Sequence, residues 1–110
     1  MEVDKETESQ IQELQGLEKN LQNILMQKQT FQMELTEVDN AISELGKSGD
    51  EAYKIAGNIM IKTSKENLLK DLKQKQDLVN LRLKSLNSQE KSLTETSEGL
   101  RAKILEKIQK

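Results

Sequence analysis

The sequence predicts a mainly α fold, an antiparallel coiled-coil hairpin of two long helices with a small β-hairpin between them. Three observations carry this reading. Apolar residues recur at helical spacing through both halves of the chain, proline is absent from all 110 residues, and three of the five glycines (Gly46, Gly49 and Gly57) crowd into the middle.

Composition narrows what such a chain does. With 34% hydrophobic, 33% charged and 2% aromatic residues, it has too little apolar bulk for an ordinary globular core, so an elongated form or burial against partner chains is expected. The absence of His and Cys removes thiol nucleophiles, imidazole bases and the usual zinc ligands. No catalytic residue, metal site or cofactor is therefore expected, and the chain is read as a non-enzyme. The nearest thing to a metal site, Glu2, Asp4, Glu6 and Glu8, reads as a solvated acidic tail, and no Gly-x-x-x-x-Gly-Lys loop offers a nucleotide a home. A net charge of −2 gives no basic footprint for nucleic acid. No stretch has bilayer-spanning length, and the start of the chain, acidic and polar, is unlike a signal peptide. A cytoplasmic protein that contacts neither membrane nor nucleic acid is expected.

The first arm, residues 1–45, carries a heptad with Leu14, Leu21, Lys28, Leu35 and Ile42 at a, and Leu17, Ile24, Phe31, Val38 and Leu45 at d. Only Lys28 breaks the apolar stripe, and a 3.5-residue repeat sustained this long marks a coiled-coil seam. Leu45-Gly46 reads as its stop.

The second arm, residues 64–110, places Leu72, Val79, Leu86, Leu93 and Leu100 at d, and Leu69, Gln76, Leu83, Glu90, Ser97 and Ile104 at a. Thr63-Ser64-Lys65-Glu66 reads as a capping box opening this helix. Gln76, Glu90 and Ser97, like Lys28, are read as setting the register or loosening the coil rather than as ligands.

Charge favours folding back. The first arm carries −7, the middle segment 46–63 carries +1 and the second arm +4. The apolar seam sets the pairing, and opposite charge, screened by salt, biases it. Arms of this length span about 60 to 70 Å and bring both chain ends to one tip. Placing residue 45 opposite 66 pairs positions whose numbers total about 111, so that Ile104 faces Thr7 and lacks a strong apolar partner.

The middle segment is longer than a helix-helix connection needs. Tyr53 and Ile55 alternate with polar or small neighbours, Gly57-Asn58 supplies a turn, and Ile59 and Ile61 follow, which reads as two short strands. Gathering Tyr53, Ile55, Ile59 and Ile61 on one face requires a three-residue loop, Ala56-Gly57-Asn58, with pairs 55/59 and 53/61. A two-residue Gly57-Asn58 turn would instead oppose Ile55 with Met60 and Ile61 with Lys54. An isolated hairpin with an apolar face and two open edges is marginal in water, so it is expected to join several chains at one end. The plainer reading is a private turn packed on the base of its own helices.

With Met26-Gln27-Lys28-Gln29 in the first arm, the Tyr53-to-Lys62 hairpin, and Leu81-Arg82-Leu83-Lys84-Ser85-Leu86 followed by Gln89-Glu90 in the second, the layout resembles the prefoldin family of molecular chaperones, in particular its shorter, single-hairpin beta class found in archaea. The resemblance implies a hetero-hexamer of alpha-class and further beta-class chains, in which the central β-hairpin joins an intersubunit β-barrel. It also implies an ATP-independent holdase that takes unfolded polypeptide clients at the coiled-coil tips and delivers them to a group II chaperonin. By position, Tyr53, Ile55, Ile59, Met60 and Ile61 are the expected oligomerisation residues. Ile11, Leu14, Leu100, Ile104, Leu105 and Ile108 are the expected client-binding tip. The competing reading is a coiled-coil scaffold without chaperone activity. The lysines of the second arm alternate with acids and read as a solvated helix face.

Overall fold

The computed structural model describes residues 4–47, 49 and 51–109, so Glu2 of the acidic tail and Ser48 and Asp50 of the polar turn lie outside the described residues. The elements run α1 (Lys5–Lys47), β1 (Glu51–Ala56), β2 (Ile59–Ser64) and α2 (Lys65–Gln109). Nothing in either long segment breaks a helix: proline is missing, and glycine is sparse. α1 continues past Leu45-Gly46 to Lys47, because the glycine there does not take the left-handed conformation that stops a helix.

Every residue assigned to the a and d rows of both arms is buried or half-buried. Two compact units contain these contacts. In one, formed by residues 1–29 and 84–110, Ile24, Leu86 and Ile104 are buried together with the polar Thr7 and Ser97. In the other, residues 30–83, the buried apolar side chains are Val38, Leu45, Ala52 and Val79. The Arg82 guanidinium also lies 5.6 Å from the centre of the Phe31 ring, a cation–π contact on the flank of the seam.

The polar residues of the seam are not simple flaws. Lys28 donates from Nζ to Glu90 Oε2 at 2.6 Å, joining two a positions across the helices of the first unit. In the second unit the Gln76 amide donates to Asp39 Oδ1 at 2.7 Å. Ser97 has no such answer: its hydroxyl is buried without a hydrogen-bond partner. The numbers of the residues joined by these bonds and by the Arg101–Glu18 ion pair total 115 to 119, several above the alignment expected from the sequence.

Both helix starts are capped. The Thr7 N–H donates to Asp4 Oδ1 at 2.7 Å, and the Asn67 N–H donates to Ser64 Oγ at 3.1 Å. The α2 cap is thus Ser64, one residue later than the capping box starting at Thr63, and α2 begins directly after it at Lys65.

The hairpin takes the two-residue turn, the second of the two registers open to the sequence. The strands pair Ala56 with Ile59, Ile55 with Met60, Lys54 with Ile61 and Tyr53 with Lys62, which leaves a two-residue Gly57-Asn58 turn rather than a three-residue loop. The physical reason lies in the turn. Gly57 sits at φ +63° and no other described residue has positive φ, the signature of a type II′ turn, which matches the twist of the flanking strands. No atom would crowd a Cβ at Gly57, so a substitution there is opposed by backbone conformation alone. Gly57→Ala should weaken the hairpin by about 1–2 kcal/mol. Backbone chemical shifts of residues 51–64 should then move toward coil values while the helices are unchanged, and unaltered strand shifts would contradict this turn.

Candidate functional site

The two-residue turn distributes the hairpin's apolar residues over both faces, since directly paired residues share a face. Tyr53, Ile55 and Met60 lie on one face with Glu51, Lys62 and Ser64. Ile59 and Ile61 lie on the other with Ala52, Lys54, Ala56 and Thr63. The expected gathering of Tyr53, Ile55, Ile59 and Ile61 on one face is therefore not what the ladder shows. It fails because the single-face assumption suits a sheet with one core side, and this hairpin has no such side.

Its own chain covers little of it. Ala52 is buried, and Lys54 reaches Asp71 of α2 at 3.9 Å, so β1 is tied loosely to the helix that follows. A cleft of about 570 Å³ opens beside β1, lined by Leu45, Leu68 and Leu72 of the helices and by Ala52, Tyr53 and Ile55 of the strand. Glu51 and Lys62 form an ion pair at 3.0 Å across the strands. The five expected oligomerisation residues remain exposed, from 48% for Ile61 to 72% for Ile55. The ion pairs of Lys54 and of Glu51 with Lys62 were not foreseen from the sequence, although opposite charges on facing strands are a readable signal.

The expected tip residues fall in the other unit, where Lys107 pairs with Glu6 at 3.1 Å and Arg101 with Glu18 at 2.6 Å. They are not equivalent there. Ile104 is only 5% exposed, contrary to the expectation that it lacks cover. Thr7 is itself buried rather than a solvated end of the helix. Leu105 is 49% exposed, whereas Ile11, Leu14, Leu100 and Ile108 are half-buried. Of the six, Leu105 alone is a largely open apolar side chain.

Asp4 belongs to this end. Hydrogen bonds from the Thr7 hydroxyl and backbone N–H hold its carboxyl below the ordinary carboxylate range, with a smaller contribution from the Lys107 charge. Among the described residues no group of three or more acids is placed to hold a metal ion, and no helix is long and apolar enough to cross a membrane.

A family model described as "Prefoldin subunit" matches residues 8–110, which takes in the hairpin and nearly all of both helices. The chain belongs to the prefoldin family of chaperone subunits. Its similarity to prefoldin beta subunits is broad. It is 37% identical to that of Thermococcus onnurineus over 101 residues, covering 90% of this chain and 87% of the relative. Identity to the Pyrococcus furiosus subunit is 35% over 101 residues, with 90% and 86% covered. The Saccharolobus islandicus subunit is 34% identical over 107 residues, with 96% and 85% covered. Among solved structures, the prefoldin beta subunit from Thermococcus strain KS-1 superimposes with a TM-score of 0.87 at 32% identity, covering 94% of this chain and 92% of that one. The two-helix, one-hairpin layout is thus a shared prefoldin fold.

The Asp4 cap gives a pH dependence of definite sign. Because the folded-state pKa is lowered, the cap's contribution is complete above the unfolded carboxyl's pKa and is lost as pH falls through the folded one. The Thr7 amide resonance should therefore titrate with a midpoint below that of an ordinary aspartate. A midpoint at the ordinary value would show that the cap does not form.

Proposed function

We propose that this chain is a beta-class subunit of a prefoldin hetero-hexamer, joined to alpha-class subunits and further beta-class copies through its hairpin, and that the complex holds unfolded polypeptides without ATP for transfer to a group II chaperonin in the cytoplasm. The observation that carries this reading is a two-stranded sheet with apolar side chains exposed on both faces and, among the described residues, no further strand to flank it. Each Ile or Met buried in an assembly contributes about 1.5–3 kcal/mol, enough to turn a marginal hairpin into a firm junction. The prefoldin beta relatives support the same assignment, since the similarity runs through the hairpin itself.

Client holding is assigned to the unit formed by residues 1–29 and 84–110. Leu105 is its most open apolar residue of the expected set, flanked by the half-buried Ile108, Ile11, Leu14 and Leu100. Ile104 contributes by holding the helices together. A chain with few aromatics and no catalytic nucleophile of the thiol or imidazole kind suits passive, reversible contact.

Ile59→Lys combined with Ile61→Lys places two charges on one hairpin face and should abolish assembly with the alpha-class partner, read by light scattering, while helical circular dichroism is unchanged. Retention of the complex would remove the hairpin from the junction. In the assembled complex, Leu105→Ser should weaken suppression of aggregation of a chemically denatured protein in the absence of ATP. Ile104→Ser should instead destabilise the coil by about 2–5 kcal/mol through loss of buried volume. If the unmodified complex has no effect on aggregation, the scaffold reading stands in its place.

A further inference from the structure

The apolar rows of the two helices repeat every seven residues, so by themselves they fit alignments that differ by a whole heptad almost equally well. Something else must choose. Lys28 and Glu90 are the charged members of the a rows, and the structure brings their side chains together at 2.6 Å with 19% and 31% of each exposed. A slip of one heptad in either direction would bring Leu83 or Ser97 to Lys28, and Leu21 or Leu35 to Glu90. Each charge would then sit half-buried against a side chain that cannot neutralise it. The Arg101–Glu18 pair in the same unit would be lost in the same slip, replaced by Ile108 or Thr94 opposite Glu18.

We propose that the Lys28–Glu90 pair is an alignment lock: it selects one heptad register of the paired helices and rejects the neighbouring ones, at a cost in stability relative to an apolar layer. The sign of the stability term follows from desolvation. Two partly buried charges lose hydration that their mutual attraction only partly restores, so a matched apolar pair is more stable, while one unpaired charge is strongly unfavourable. The discrimination comes from that asymmetry. The observed register satisfies both charges, and each slipped register strands both.

The test uses the full chain, which contains no cysteine, with nitroxide labels on Gln15→Cys and Glu98→Cys, both exposed and off the seam. Pulsed electron resonance should give one label-to-label distance in the parent. Lys28→Leu with Glu90→Leu should raise the melting temperature yet add a second distance, from helices displaced along one another by about 10 Å. Lys28→Glu with Glu90→Lys, which restores the pair in reverse, should return the single distance. Lys28→Leu alone should lower the melting temperature. A single parent-like distance in the double-leucine chain, or a reversed pair that populates two distances, would overturn the lock.

Discussion

The turn at Gly57-Asn58 decides what the rest of the chain can do. A positive φ at Gly57 closes the strands after two residues, and that register sends Ile55 and Met60 to one face and Ile59 and Ile61 to the other. The chain's own helices cover little of either face, and among the described residues neither outer strand edge has a neighbouring strand. A lone hairpin of this kind is barely stable in water, whereas burial of four large aliphatic side chains contributes several kcal/mol. On the proposed function, the stable form of these fourteen residues includes other chains.

The helices follow a different logic. Within each unit their seam is modest, built mostly from leucine, isoleucine and valine with polar residues at several a positions. Lys28 with Glu90 and Gln76 with Asp39 pair across the helices, whereas the buried Ser97 hydroxyl does not, and on the proposed lock stability is given up for a defined alignment.

Much of this was legible in the sequence because helical coils repeat. The a and d rows fall where the 3.5-residue period puts them, and absent proline fixes the two long helices. What the period cannot show is which heptad faces which, so Lys28 and Glu90 looked like separate flaws until the helices were aligned. Ile104 looked uncovered for the same reason. The hairpin's residues were readable from their β-branched alternation, but its register was not. The usual guide, that apolar residues share a face, holds for a sheet with one buried side. Here both faces carry apolar side chains, and the glycine's backbone preference settled the loop length instead. The capping residue of α2 is Ser64 rather than Thr63, one residue into the expected box.

Amide hydrogen exchange across residues 53–61 in the isolated chain and in the complex with its alpha-class partner tests most directly whether the hairpin depends on partners. Exchange in the isolated chain should be fast, at the rates of a marginal hairpin. In the complex these amides, including those on the outer edges of β1 and β2, should become as protected as the seam of α1 and α2. Equal and strong protection in the isolated chain, or no gain on assembly, would contradict the view that this hairpin is completed only by other subunits.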